Sequence, residues 1–483
     1  MHTVRRGRLV AGLIAAAALA GTAVLVFGSD GDGGSTGSTG ARPNLVVVMT
    51  DDQTVAGMQA LPKTRRLIGD AGVSFDDFHV TDPLCCPSRA TFLTGQYAHN
   101  HGVHSNGGPL AYPALRERHT LGVWLQGAGY RTVHVGKYLN GYGLERPQRV
   151  PPGWSEWHAL VDPSTQHYYD YLINENGTVR RYSSSPGDYK TRVLGREAVT
   201  AIRTAASDEQ PLFMFVGFNA PHAPSTPAPR DEGAFTGTPQ PPSPAFDEDD
   251  VSDKPSFIRD LPPLSPEALA RIDSRRQRTL ESLLAVDREV ARIVAELRRQ
   301  DELERTYILF TSDNGYLAGE HRIEFGKLLP YQASTQVPLL IRGPAVAGGE
   351  TVAALAGNVD LAPTLLELAG AEADVDLDGR SLIPFLEQPG RSTTRPLLIE
   401  SLVRDRSTFY GYPYGAIRTD RHLYVEYATG DLELYDLASD PFELRSRADA
   451  ADYADARQAL TRALARLRDC AGEGCRFGLS ESG

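Results

Sequence analysis

Apolar residues fall into two kinds of run along this chain. Leu45–Met49, Tyr130–Val135, Leu212–Phe218, Tyr307–Phe310 and Val337–Ile341 are short and rich in Val, Leu, Ile and Phe. Continuous runs of this length read as strands buried on both faces. Helical patterns lie between them. Leu121–Gln126 is broken by Gly127-Ala128-Gly129, and a second helix is centred on Leu361–Leu368. In the strongest pattern, Leu280, Leu283, Leu284, Val290, Val294 and Leu297 share one face, with arginines and glutamates opposite. This alternation predicts an α/β fold: a large, mostly parallel sheet flanked by helices.

Two segments depart from it. Residues 221–266 hold 12 prolines and the acidic run Asp247–Asp250, and read as a long excursion without regular structure. From about Leu397 the pattern becomes short Tyr/Val/Leu strands with turns at Thr419-Asp420 and Thr429-Gly430. A helix over roughly Ala451–Arg468 follows. Residues 397–483 are therefore expected to form a small antiparallel sheet plus helix, a C-terminal subdomain beside a main domain over 42–396.

The N-terminus carries a different message. Arg5, Arg6 and Arg8 precede an apolar run, Leu9–Phe27, and a Gly/Ser/Asp-rich stretch follows. Residues 1–28 read as a signal peptide or anchor and 29–41 as a flexible linker, with Ala18-Leu19-Ala20 as a small-residue cleavage site. The expectation is a secreted or extracellular protein, with stable membrane association only if the apolar segment is retained. In an exported chain the Cys470–Cys475 spacing suits a small disulfide loop. No Cys/His spacing fits a structural zinc.

The net charge of -12 argues against nucleic acid as a partner. An anionic substrate must then meet a local basic pocket in an acidic protein. Ligands of open α/β sheets bind at the carboxyl ends of strands. Asp51 and Asp52 leave one strand end, Lys137 another, His222 a third, and Asp313 with Asn314 a fourth. Asp51-Asp52 alone reads equally well as a solvated turn or helix cap. Together with Asp313 and Asn314 the pair forms an oxygen-only set suited to calcium or magnesium.

The most specific signal is Leu84-Cys85-Cys86-Pro87-Ser88-Arg89, continued by Leu93-Thr94-Gly95. Cys-x-Pro-Ser-Arg followed by Leu-Thr-Gly resembles the signature of the sulfatase family, within the alkaline phosphatase superfamily. Gly136-Lys137-Tyr138-Leu139-Asn140, Asn219-Ala220-Pro221-His222 and Thr311-Ser312-Asp313-Asn314-Gly315-Tyr316 resemble the N-acetylglucosamine-6-sulfatase branch. The resemblance implies that a formylglycine-generating enzyme converts Cys85 to formylglycine. It also implies calcium held by Asp51, Asp52, Asp313, Asn314 and the modified Cys85, and sulfate contacts from Arg89, Lys137, His222 and Lys327.

The implied chemistry suits these residue types. A serine or cysteine would form a sulfated enzyme that is hard to hydrolyse, whereas a hydrated aldehyde has two hydroxyls. One attacks sulfur, and the other expels sulfate as the aldehyde re-forms. Many sulfatases place a histidine where Leu139 stands, so Asn140 is a candidate to position the nucleophile instead. His222 is the candidate acid for the leaving oxygen, and Asp313 an alternative base. His321 stands near these motifs and reads equally as loop packing, while His99, His101 and His104 read as packing or pocket residues. The implied reaction is hydrolysis of a sulfate ester on a sugar, such as a glucosamine 6-sulfate unit. A phosphate or phosphonate monoester hydrolase and a non-catalytic binder of sulfated glycans remain as alternatives.

Overall fold

The computed structural model describes residues 42–239, 243–403 and 412–479. The predicted signal and linker segments lie outside these residues. No helix among the described residues is long and apolar enough to cross a membrane.

Four strands organise the fold: β1 (Asn44–Asp51), β2 (Arg131–Gly136), β3 (Leu212–Pro221) and β4 (Thr306–Ser312). They lie in the order β4-β1-β3-β2 within a ten-stranded sheet, all parallel, and Glu156–Leu160 extends the parallel set beyond β2. Val46 of β1 stands level with Met214 on one side and Ile308 on the other. Every residue of β1 is buried. Its alternate side chains enter two separate cores, Leu45, Val47 and Met49 one, Val46 and Val48 the other. That is why the run lacks polar alternation.

Helices cover both faces. On the Val46 side pack Lys190–Ala205 and the 34-residue helix Pro266–Arg299, whose stripe includes Leu280, Leu283, Val290, Val294 and Leu297. Ser265 caps that long helix by accepting from Ala268 N–H. The opposite face holds Cys85–Thr94, Leu121–Gly127 and Leu361–Ala369. Below, α1 denotes Cys85–Thr94 and α2 denotes Pro266–Arg299.

The sheet is parallel at its centre and takes in antiparallel pairs towards both edges, although Glu350–Val352 and Val73–Phe75 pair in parallel at one of them. Leu339–Arg342, expected to continue the βα alternation, runs antiparallel to β4. The chain between them carries the loop with Lys327 and a four-residue helix, Gln332–Thr335, and no crossover helix brings it back to the amino end of β4. Leu397–Ser401, Tyr414–Arg418, His422–Tyr427 and Leu432–Asp436 form a four-stranded antiparallel sheet, against which helix Ala454–Arg468 packs. A disulfide joins Cys470 and Cys475.

Most of the proline-rich excursion lacks regular elements, but it is not loose. Asp247 N–H donates to Gly319 O, and buried Glu248 pairs with His321 at 2.6 Å and with Lys254 at 3.3 Å. Asp247 Oδ1 also accepts from Leu264 N–H at 2.8 Å, so half of the acidic run is engaged internally. Asp249 and Asp250 are exposed.

Candidate active site

The carboxyl ends of β1 to β4 converge on one buried, charged centre. Asp51 closes β1, and Asp52 follows with a left-handed backbone at φ 65°. A short polar side chain tolerates that conformation, although it remains uncommon outside glycine. Lys137 follows β2, His222 follows β3, and Asp313 with Asn314 follows β4. The β2–β3 contact is tight enough to demand glycine. A Cβ on Gly217 would lie 2.4 Å from Lys137 O, and one on Gly136, at φ 102°, 2.1 Å from Gly217 O.

Cys85 is the first residue of α1, and that helix is buried along its whole length. Its amino end is held from outside, since Cys86 N–H donates to Asn106 Oδ1 at 2.9 Å. Arg89, one turn on, is fully buried and donates Nε to Asp313 Oδ2 at 2.7 Å and Nη1 to Lys137 O at 2.8 Å. The Lys137 ammonium meets Asp51 Oδ2 at 2.6 Å. Lys327 lies 2.5 Å from Asp52 Oδ1 and 2.8 Å from Cys85 Sγ, and that sulfur is 3.5 Å from Asp51 Oδ1. His222 Nε2 stands 3.7 Å from Asp52 Oδ2.

These contacts set the charge states. Burial alone would raise the carboxyl of Asp51, but Lys137, His222, Arg89 and Lys327 outweigh it and hold Asp51 well below the usual range. Burial is likewise outweighed at Asp52, where Lys327 and His222 lower the carboxyl. Asp313 moves up, because burial and neighbouring Asp51 exceed the help from Arg89. Burial pushes the Cys85 thiol up to about 12 despite two nearby lysines. A thiol held this way is protonated and a poor nucleophile.

Two polar atoms at the centre are buried without a partner, Asn314 Oδ1 and Arg89 Nη2. The Asn314 amide nitrogen donates to Asp52 Oδ1 and Gly315 O, so its oxygen is the unspent half of the side chain. A neutral oxygen beside two ionised carboxylates is what a hard cation requires. Ligand atoms of Asp51, Asp52, Cys85 and His222 also lie within 4.8 Å of one another. This quartet includes His222 and omits Asp313, whose Oδ2 is held by Arg89. The residues fit a calcium-type ion.

The structure brings together Asp51, Asp52, Cys85, Arg89, Lys137, His222, Asp313, Asn314 and Lys327. Asn140 is placed otherwise. Its backbone N–H donates to Cys86 Sγ at 3.0 Å, so it braces the second cysteine rather than the first. His321 packs on Tyr331 and Glu248. His99 binds Glu400, His101 is buried against Thr91, and His104 lines the cleft above the site. That cleft, about 1150 Å³, is also lined by Asn106, Arg275 and Tyr316 beside His222 and Lys327. Asp52 is the one carboxylate among its described lining residues, so the acidic protein does present a basic pocket.

The sequence reading missed Asn106, Arg275 and Tyr168, whose hydroxyl donates to His222 O at 2.9 Å. Each acts through a tertiary contact, and no motif announced it.

The sulfatase family model matches residues 43–371. The chain belongs to the sulfatase family. A second model, the C-terminal part of N-sulphoglucosamine sulphohydrolase, matches residues 319–470 of this sulfatase. The N-acetylglucosamine-6-sulfatase of Capra hircus is 32% identical over 492 residues, covering 92% of this chain and 87% of that one. The extracellular sulfatase SULF-1 homolog of Drosophila melanogaster is 35% identical over 359 residues, 73% of this sulfatase but 32% of that protein's length. A solved structure of a protein in complex with its substrate D-glucosamine-2-N,6-O-disulfate superposes with a TM-score of 0.77 at 26% identity, covering 88% of this chain and 97% of that one. The phosphonate monoester hydrolase of Agrobacterium radiobacter superposes at 0.72 and 25% identity, covering 92% and 99%.

Proposed function

We propose that this sulfatase hydrolyses the 6-O-sulfate of a glucosamine unit, using a nucleophile made from Cys85 and a bound calcium ion. The observation that carries the proposal is the setting of Cys85. Its sulfur heads a buried helix, within 3.5 Å of Asp51 and 2.8 Å of Lys327, and Lys327, Asp52 and His222 line the basic cleft above it. As a thiol it is poorly suited to attack, so the site favours a converted side chain. Hydrated formylglycine would supply one hydroxyl to attack sulfur and a second whose proton loss expels sulfate. Calcium, held by Asp51, Asp52, Asp313, Asn314 and the modified Cys85, would neutralise sulfate charge and lower the pKa of the attacking hydroxyl.

The remaining steps fall to the chain's own residues. Lys137 and Lys327 bring fixed positive charge to the sulfuryl oxygens, where charge builds during transfer. Arg89 holds Asp313 and the chain after β2 in place, and its unpartnered Nη2 keeps one donor available. His222 donates a proton to the departing sugar oxygen. Its Nδ1 is engaged with Ala223 O at 2.8 Å, which leaves Nε2 for that task. Asp313 has both oxygens engaged, by Arg89 and by Asp52 N–H, which supports a holding role over that of a base.

We also propose that the protein is exported. The Cys470–Cys475 disulfide is at home in an oxidising compartment, and the N-terminal sequence has the form of a signal.

Purified protein from a host that converts such cysteines should hydrolyse N-acetylglucosamine 6-sulfate, and a chelator should abolish the activity until calcium is restored. Faster turnover of a phosphonate monoester than of any sulfate ester would replace this reading with the phosphonate alternative. Binding of sulfated sugar by fully converted protein, without turnover of any ester, would leave the binding-protein alternative.

A further inference from the structure

Arg275 stands out among the cations around the cleft. It lies on α2, where Arg271 pairs with Glu324, Arg276 donates to Thr238 O and Arg288 pairs with Asp231. Among the described residues, no carboxylate pairs with Arg275 and no oxygen accepts its hydrogens. Two aromatic rings hold it instead. Its guanidinium carbon lies 4.2 Å from the centroid of Tyr316 and 5.1 Å from that of Phe325. Those rings are adjacent because the backbones of Leu317 and Gly326 exchange hydrogen bonds at 2.8 and 3.0 Å.

The same aromatics flank the reacting centre. Tyr316 is two residues after Asn314, and Phe325 is two residues before Lys327. Arg275 lines the cleft that holds His222 and Lys327, and it also lines a neighbouring cleft of about 360 Å³ with Thr279, Glu320 and Gln332. Stacking on rings leaves the guanidinium edge, with its hydrogen-bond donors, unspent. A half-buried arginine held against two rings, with no anion paired to it among the described residues, is prepared to receive one.

We propose that Arg275 is a specificity-determining residue that binds a second acidic group, sulfate or carboxylate, on a substrate whose first sulfate occupies the reacting centre. The proposal rests on the sugar-sulfate reading above and adds that the preferred substrate carries two anionic groups. No bond forms or breaks at Arg275.

The test is calorimetric binding with chains that also carry Cys85→Ala, so that nothing turns over. Three ligands are compared: N-acetylglucosamine 6-sulfate, D-glucosamine 2-N,6-O-disulfate, and a disaccharide of 6-sulfated N-acetylglucosamine and a uronic acid. Arg275→Gln should weaken the disulfate, the uronic acid disaccharide or both by about tenfold, the loss of one charge-assisted contact. The monosulfate should change by less than about twofold. Which dianionic ligand responds identifies the second group, and Arg275→Lys should recover part of that affinity. An equal loss on all three ligands, or no loss on any, overturns the assignment of Arg275. Binding of none of the three by the Arg275-containing chain overturns the sugar reading itself, and this inference with it.

Discussion

Two of the places where the protein buries charge treat it in opposite ways. In the small C-terminal sheet, Glu433 is fully buried, and its carboxylate accepts from the hydroxyls of Tyr331 at 2.8 Å, Tyr427 at 2.6 Å and Tyr435 at 2.5 Å. Neither of its oxygens lacks a partner. At the strand ends of the large sheet, three carboxylates are buried with Arg89 and Lys137 beside half-buried Lys327, yet Asn314 Oδ1 and Arg89 Nη2 lack partners. Both amide atoms of nearby Asn219, at the end of β3, are also unpartnered. A saturated buried charge serves the fold. A cluster that leaves donors and acceptors unspent is set up for a ligand.

The comparison breaks most visibly at Cys85. Cys85→Ala should lower kcat/KM on a sulfate ester by on the order of 10⁴-fold or more, as expected for loss of a nucleophile. Thermal unfolding should barely move, because the sulfur sits in the cluster with unspent partners. Substantial residual activity would show that another group attacks.

Asp313→Ala should cost both activity and stability. It strands the Arg89 guanidinium in the interior, an effect worth about 3–5 kcal/mol in chemical unfolding. A change below about 1 kcal/mol would mean that Arg89 finds another anion or water.

Glu433→Gln sharpens the other side of the comparison. It should cost about 1–3 kcal/mol of stability by disturbing a saturated network. Turnover should stay within about twofold, since no element of the reacting centre moves. A large loss of activity with unchanged stability would erase the distinction between the two regions.

The smallest effect lies where the regions meet. Burial alone would lower the pKa of His99, but Glu400 on the small sheet and Cys470 O raise it to about 9. A raised folded-state pKa gives stability that is complete below about 6.5 and lost as pH climbs through about 9. Unfolding of the wild-type chain followed across that window should show this decline, and His99→Gln should flatten it. An unchanged slope would remove the histidine from the linkage.

Legibility in the sequence followed the same division. The four site strands announce themselves, because burial on both faces strips them of polar residues. Val73–Phe75, Glu350–Val352 and the hairpin Leu172–Glu175 and Thr178–Arg181 escaped, being short or half-exposed and having no period to read. The direction of Leu339–Arg342 was hidden as well, since an apolar run says nothing of its neighbour's orientation. The reacting centre was legible because most of its residues sit in dense motifs, at strand ends or, for Cys85 and Arg89, on α1, whereas Lys327 stands alone in a loop. Arg275 was not, because its position on α2 looks like any solvated helix face until Tyr316 and Phe325 are folded beneath it.

The central claim is that Cys85 is the precursor of the nucleophile. Mass spectrometry of the peptide spanning Cys85, from protein made in its own host, tests it most directly. The account predicts a mass about 18 Da below that of the thiol peptide, with reactivity towards a carbonyl reagent. An unmodified thiol in protein that hydrolyses sulfate esters would contradict it.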